Sequence, residues 1–231
     1  MSKILFINPS KWGRGITPIW IASHASVLKQ NGHYLKLFDA TFYSDWAENE
    51  NKFNTFNNQY KPSNYDSYIK IKNESVEKAI IEFIKEYNPD YIFFSAISSH
   101  IHGEGEYISI QLGNELIKNV DKNITVICGG LQATEDPKLM TKLYPRIDFL
   151  IGGESEFVLL ELIRRIENNE DQHDIPGVFS CDDKNSKSFK SKQKIIADMD
   201  EIGIYDYSLF EEQIFYRPYN GKVLKAIDYE I

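Results

Sequence analysis

The chain has 231 residues, of which 42% are hydrophobic and 26% are charged, a composition typical of a globular protein with one sizeable core. Its formal net charge of -8 disfavours binding to a nucleic-acid backbone, and no apolar run approaches the roughly 20 residues that a helix needs to span a bilayer. The two cysteines, Cys128 and Cys181, and the lack of a signal-peptide pattern predict a cytoplasmic protein that binds neither membranes nor nucleic acids.

Strands and helices alternate along the first 170 residues. The predicted strands are residues 3–8, 34–39, 91–95, 124–128 and 148–151, and the predicted helices are residues 18–31 with Thr17 as cap, 74–87, 107–120, one beginning at 136–137, and 155–167. The strands are continuous apolar runs, which is typical of a parallel sheet covered by helices on both faces. We therefore predict an α/β domain over residues 1–170 with an open five-stranded parallel sheet of the Rossmann-like, flavodoxin-like type.

Residues 171–231 have a different character. Residues 175–180 and 194–196 are predicted to be the arms of a hairpin around a lysine-rich polar turn, followed by an extended linker. The last apolar stretch, residues 223–231, has the composition of a strand. Left without neighbours, this strand would present an unpaired edge, which predicts disorder, self-association or poor solubility.

The loop after the first strand contains Gly13 and Gly15 in a GxG pattern, and Asp39 ends the second strand. Together they suggest a nucleotide-binding oxidoreductase in which Asp39 binds a ribose hydroxyl. Pro18 stands at the third glycine position, so the pattern is incomplete. This oxidoreductase and a ligand-free interaction module are the two alternatives to the interpretation that follows.

Ligands of open parallel sheets bind where the strands end, so the loops at those ends are the candidate site. The candidate cofactor-binding residues there are Ser10, Trp12, Gly13, Gly15, Ser95, Ile97, Ser99, Gly129, Gly130, Leu131, Gly153 and Glu154. No protein metal site is predicted, although His100, His102 and Glu104 lie close together in the third loop.

These loops resemble the cobalamin-binding domain found at the N-terminus of cobalamin-dependent radical S-adenosylmethionine (SAM) enzymes. Aligning Gly15 with the glycine of that family's DxHxxG motif puts Ser10 at the aspartate and Trp12 at the histidine position. Ser95 and Ile97 match the family's SxL motif, and residues 129–130 match its GG motif. The segments GGLQATEDP, IGGESEFVLLELI, IPGVF, DMDEIGIYDYSLF and YRPYNGKV resemble further stretches of the same family.

The resemblance implies that the nucleotide tail of cobalamin lies in a slot beside the sheet. Ser95 or Ser99 would hydrogen-bond the tail, and the Gly129-Gly130 pair would leave room for a flat ring against the backbone. Because Trp12 occupies the histidine position, the resemblance also implies that no imidazole reaches the lower face of the cobalt from there.

Full-length enzymes of the resembled family continue into a barrel whose CxxxCxxC cysteines hold a 4Fe-4S cluster that binds SAM. This chain has no cysteine after Cys181 and cannot ligate such a cluster. We therefore expect a truncated protein that is not catalytic alone, with a radical SAM barrel supplied in cis or in trans. The implied activity of the complete enzyme is methyl transfer.

Overall fold

A computed structural model describes residues 1–11, 17–46, 61, 63–96, 110–181 and 195–228. Its main sheet contains the strands β1 (Lys3–Asn8), β2 (Tyr34–Asp39), β3 (Tyr91–Ser95), β4 (Thr125–Gly129), β5 (Phe149–Ile151) and β6 (Val178–Ser180). They lie in the order β2-β1-β3-β4-β5-β6; the first five are parallel and β6 is antiparallel to β5. The predicted flavodoxin-like parallel sheet is confirmed, with one antiparallel strand added at its edge.

The helices are α1 (Ile19–Gln30), α2 (Val76–Tyr87), α3 (Ile110–Ile117), α4 (Leu131–Glu135), α5 (Pro137–Leu143) and α6 (Glu156–Glu167). α5 begins at Pro137 as predicted, and Asp136 is its N-cap, because the Asp136 carboxylate accepts from the Leu139 N–H at 3.0 Å. The cap predicted for α1 was wrong: Pro18 is the N-cap, and Thr17 contacts the C-terminal segment instead. None of these helices in the described residues is long and apolar enough to cross a bilayer.

Both faces of the sheet are buried, as the continuous apolar strands predict. Along β1, Ile4 and Phe6 belong to the core beneath α1 and α6, whereas Leu5 and Ile7 belong to the core beneath α2 and α3. All four side chains are fully buried. The alternation follows from the pleat, which sends successive side chains to opposite faces.

The C-terminal region differs from the prediction in two respects. Residues 178–180 pair with β5 instead of starting a hairpin, and residues 195–196 belong to no strand. The hairpin lies later in the chain, where β7 (Tyr216–Tyr219) pairs with β8 (Lys222–Lys225) around Asn220-Gly221. Part of the stretch predicted to be an unpaired edge is therefore a paired strand. The domain boundary at residue 170 stays a prediction.

Candidate functional site

The carboxyl ends of the parallel strands form one edge of the sheet, and the connections reverse direction there between β1 and β3. β2 lies on one side of β1, and β3 to β5 follow on the other side. Such a reversal opens a crevice between the loops that follow the two central strands. The strand ends of β1, β3, β4 and β5 therefore define a single candidate edge, and the assignment of individual loop residues to a site there stays a prediction.

Ser95 and Gly129 occupy the same position on neighbouring strands. They are paired at the last register position of β3 and β4, and the next N–H, that of Ala96, donates to the Gly129 carbonyl at 2.9 Å. Ser95 is 4% exposed, and within the described residues nothing hydrogen-bonds to its hydroxyl. A polar group at a strand end without a protein partner is suited to bind a ligand.

The glycine pair is required by the fold for reasons that the sequence did not indicate. A Cβ on Gly129 would lie 3.0 Å from the Phe93 ring and 3.3 Å from Ser155 Oγ. Gly130 has a φ of 96°, and its Cβ would lie 2.5 Å from the Ala96 carbonyl oxygen. The absent Cβ atoms thus make room for the protein itself, which differs from the predicted reason that they leave space for a flat ring.

Thr134 connects two of the loops at this edge. Its hydroxyl donates to the Gly130 carbonyl and accepts from the Gly153 N–H, both at 3.0 Å. The loops after β4 and β5 are therefore held together by one side chain. Sequence reasoning missed this role, although a threonine one helical turn after a glycine pair is the kind of residue that ties a loop to its own helix.

The remaining predicted residues are only partly assembled. Leu131 begins α4 with 62% exposure, the exposed Glu154 accepts from the Ile196 N–H, and the Ser10 N–H donates to Asn8 Oδ1 at 3.3 Å. Several candidates lie outside the described residues: Trp12, Gly13, Gly15, Ile97 and Ser99, and also His100, His102 and Glu104.

A buried polar cluster joins α1 to α6 beneath this edge. His24 Nε2 is 2.9 Å from Ser155 Oγ, its Nδ1 is 2.6 Å from the Trp20 carbonyl oxygen, and the Ser23 hydroxyl donates to Glu156 at 2.7 Å. Burial lowers the pKa of His24, although the Glu156 carboxylate opposes this effect. The histidine therefore acts as a neutral hydrogen-bonding link between the two helices.

Asp39 does not have the surroundings predicted for a ribose-binding residue. Its Oδ1 accepts from Asn8 Nδ2 at 3.0 Å and from the Thr41 N–H at 3.1 Å. Burial raises the pKa of Asp39, which these hydrogen bonds only partly offset. Its contacts are those of a residue that closes the turn after β2. The nucleotide-binding alternative therefore lacks the acidic residue that it needs to bind a ribose hydroxyl.

The indole of Trp20 is a buried donor without an acceptor. Trp20 is 8% exposed, and its Nε1 has no hydrogen-bond partner in the described part of the chain. By contrast, Nε1 of Trp46 donates to the Pro9 carbonyl at 3.1 Å. An unpaired N–H and the free Ser95 hydroxyl, both close to the strand ends, fit a ligand whose periphery is rich in oxygen acceptors.

The C-terminal segment returns to the start of α1 beside this site. The carboxylate of Asp228 accepts from the Thr17 N–H at 2.7 Å and from Arg217 Nη1 at 2.7 Å. Arg217 Nη2 also donates to the Thr17 hydroxyl at 2.9 Å, and the Tyr207 hydroxyl donates to the Asp228 carbonyl. We call these four residues the C-terminal clasp.

Open parallel α/β sheets bind their ligands at an edge of this kind. The family of the B12 binding domain matches residues 11–163, which include the loops after β3, β4 and β5 and most of the loop after β1. The chain belongs to the B12-binding domain family, and its cofactor is cobalamin.

Two curated proteins are similar in sequence. An uncharacterized methyltransferase, PH0819, of Pyrococcus horikoshii is 27% identical over 130 residues, which cover 56% of this chain and 27% of that protein. The anaerobic magnesium-protoporphyrin IX monomethyl ester cyclase of Rubrivivax gelatinosus is 22% identical over 231 residues, which cover 96% of this chain and 35% of that protein. The chain thus spans about a third or less of the length of these relatives.

A solved structure shares the fold. The radical SAM methyltransferase TsrM of Kitasatospora setae, determined with cobalamin and a [4Fe-4S] cluster bound, superposes with a TM-score of 0.55 at 18% identity. The superposition covers 78% of this chain and 27% of that chain. The similarity shows that the two chains share a fold over this region.

Proposed function

We propose that this chain holds cobalamin at the carboxyl edge of its sheet as the cofactor domain of a cobalamin-dependent radical SAM methyltransferase or related enzyme. The single observation that best supports the position is the pairing of Ser95 with Gly129 at the last register position of β3 and β4. Both residues lie at the edge that the reversal of strand order opens, inside the segment that matches the B12-binding family.

Each described site residue has a proposed task. The Ser95 hydroxyl binds the nucleotide tail, and the backbone of Gly129 and Gly130 forms the wall against which the cofactor lies. Thr134 fixes that wall relative to Gly153 through its two hydrogen bonds. Bound cobalamin supplies methyl-transfer chemistry through its cobalt, whereas the protein supplies position and environment.

Further loop residues, some of them outside the described part of the chain, complete the proposed site. We assign Ser10, Trp12, Gly13 and Gly15 to the loop beside the lower face of the corrin, without an imidazole ligand from position 12. Ile97 and Ser99 in the third loop, and Leu131 and Glu154 next to the glycine pairs, are the other assigned contacts. These assignments rest on their places in the family motifs.

The complete activity requires a partner that binds SAM. The relatives are about three or more times longer than the matched region, and we propose that a radical SAM barrel with a 4Fe-4S cluster is supplied in cis or in trans. A cytoplasmic location and the absence of nucleic-acid and membrane partners are part of the same proposal. The two free cysteines, Cys128 and Cys181, support a reducing compartment.

A spectral titration tests cobalamin binding. The purified chain is mixed with hydroxocobalamin and, separately, with nicotinamide nucleotides, and each mixture is passed through a size-exclusion column. We expect a shifted corrin spectrum and co-elution of the corrinoid with the protein, and no retention of nucleotide. Retention of nucleotide with an unshifted corrin spectrum would favour the oxidoreductase, and no retention of either would favour a ligand-free interaction module.

A further inference from the structure

The Trp20 indole lies directly beneath the carboxyl edge. Trp20 is the second residue of α1, and its ring centroid is 5.7 Å from that of Phe93 on β3 and 6.0 Å from that of Phe6 on β1. The Phe93 ring in turn lies 3.0 Å from the position of a Gly129 Cβ. The indole therefore packs against the same Phe93 ring that borders the strand end assigned to the cofactor.

The backbone carbonyl of Trp20 has hydrogen-bond partners, but its indole N–H has no acceptor among the described residues. The Trp20 carbonyl accepts from the Ser23 hydroxyl and lies 2.6 Å from His24 Nδ1, and the other ring nitrogen of His24 is engaged by Ser155. The indole N–H is buried and unpaired among the described residues. Such a donor costs folding free energy, so its retention indicates a partner that arrives with a ligand.

We propose that Trp20 is a cofactor-binding residue whose indole N–H donates a hydrogen bond to an oxygen of cobalamin. The inference rests on the proposed position of the cofactor. Cobalamin presents amide carbonyls around its corrin and phosphodiester and ribose oxygens on its nucleotide arm, and each of them accepts from an N–H. The desolvation of the donor is already complete in the free protein, so the new hydrogen bond contributes to affinity with little further cost.

The Trp20→Phe variant tests the inference, because phenylalanine keeps an aromatic ring and removes only the donor and part of the ring area. We expect hydroxocobalamin to bind about tenfold more weakly to this variant than to the unmodified chain. The matched control is Tyr87→Phe, which removes a donor to the Tyr34 carbonyl (2.8 Å) at the opposite edge of the sheet and is expected to leave affinity unchanged.

Cobinamide, which keeps the corrin amides and lacks the nucleotide arm, identifies the acceptor. Weaker binding of both corrinoids to Trp20→Phe places the acceptor on the corrin, and weaker binding of cobalamin alone places it on the nucleotide arm. Equal affinities of Trp20→Phe and the unmodified chain for cobalamin would overturn the role of Trp20 and leave the proposed function intact. Failure of the unmodified chain to bind cobalamin would instead overturn the proposed function.

A spectroscopic measurement keeps the inference testable if Trp20→Phe does not fold. In the unmodified chain labelled with ¹⁵N-tryptophan, the three indole N–H signals are assigned with Trp12→Phe and Trp46→Phe variants. We expect the Trp20 signal to move downfield when hydroxocobalamin is added, because its N–H acquires an acceptor. A signal that keeps its position and its rate of exchange with water would contradict the inference.

Discussion

At the scale of single residues, Gly130 is a position where both the backbone conformation and the surrounding atoms oppose a side chain. Gly130→Ala combines a φ of 96° with a Cβ that lies 2.5 Å from the Ala96 carbonyl oxygen, a backbone atom that cannot rotate away. We expect the free energy of unfolding to fall by about 3 to 5 kcal/mol, the sum of backbone strain and overpacking. Urea unfolding of the purified variant measures the loss.

Gly32→Ala is the matched control for this substitution. Gly32 has a similar φ of 82°, but its Cβ would meet only Met1 side-chain atoms, the nearest at 3.6 Å. The control therefore carries the backbone strain without the collision, and we expect a loss of about 1 to 2 kcal/mol. Equal losses in the two variants would show that contact with Ala96 is not what requires glycine at position 130.

The sequence predicted where Gly130 lies but not why a glycine is needed there. Gly129 and Gly130 could be placed at the edge because a buried apolar strand ends there and parallel strands end on the same side. The closeness of Ala96 could not be read from the sequence, because it depends on how β3 and β4, which are separated by residues 96–124, align with each other. Trp20 was missed for a related reason: an unpaired donor is defined by the absence of neighbours in space.

At the scale of elements, the Thr134 hydroxyl links α4 to the loop before α6. Thr134→Val keeps the shape of the side chain and removes both the donor to Gly130 and the acceptor for the Gly153 N–H. We expect a loss of about 1 to 2 kcal/mol in the free energy of unfolding, because a half-buried backbone N–H loses its partner. We also expect weaker binding of hydroxocobalamin, because the loops after β4 and β5 are no longer held together.

Thr141→Val in α5 is the control for this change. The Thr141 hydroxyl is buried as well, but it donates only to the Lys138 carbonyl within its own helix, at 3.0 Å. We expect a comparable or smaller stability loss and unchanged affinity for the corrinoid in a spectral titration. A Thr134→Val variant that binds hydroxocobalamin as tightly as Thr141→Val would show that the link does not shape the site.

Element types were more predictable than element partners. The limits of β1, β2 and β3 agree with the apolar runs, since turn residues bound each of them. Residues 178–180 form a strand as short as a hairpin arm, and only the free edge of β5 decides that they pair there. The later hairpin carries a local sequence signal, the dipeptide Asn220-Gly221. In the structure these two residues have φ values of 46° and 79°, as a two-residue Asn-Gly turn requires.

At the scale of the whole molecule, the C-terminal clasp joins the end of the described chain to Thr17, where the first cofactor loop ends and α1 is about to begin. Asp228 and Thr17 are 211 positions apart, yet the carboxylate of one accepts from the backbone N–H of the other. Sequence periodicity cannot reveal such a contact, because it joins two irregular segments. The clasp fixes one end of the loop that contains Trp12, Gly13 and Gly15, and so couples that loop to the segment leading toward the proposed barrel.

Asp228→Asn tests whether the clasp stabilises the fold. Burial works against the charge of Asp228, but hydrogen bonds from Arg217 and Thr17 lower the pKa of the carboxyl below its ordinary value. A carboxyl with a lowered pKa stabilises the folded state above its ordinary pKa, and this contribution is lost as the pH falls through the folded-state pKa. At pH 7 we therefore expect Asp228→Asn to lower the free energy of unfolding by about 1 to 2 kcal/mol, a value reduced for partial exposure.

Urea unfolding of the unmodified chain and the variant at pH 7, 5 and 3 measures this contribution. The difference between the two proteins should be largest at pH 7 and should shrink toward pH 3, because the carboxyl of the unmodified chain becomes protonated and the pairing with Arg217 weakens. Glu212→Gln is the control, since it weakens the exposed pair with Lys225 of β8 and should cost less stability than Asp228→Asn. A loss in Asp228→Asn no larger than in this control, or one that does not change with pH, would mean that the clasp is only a surface ion pair and does not hold the cofactor loop.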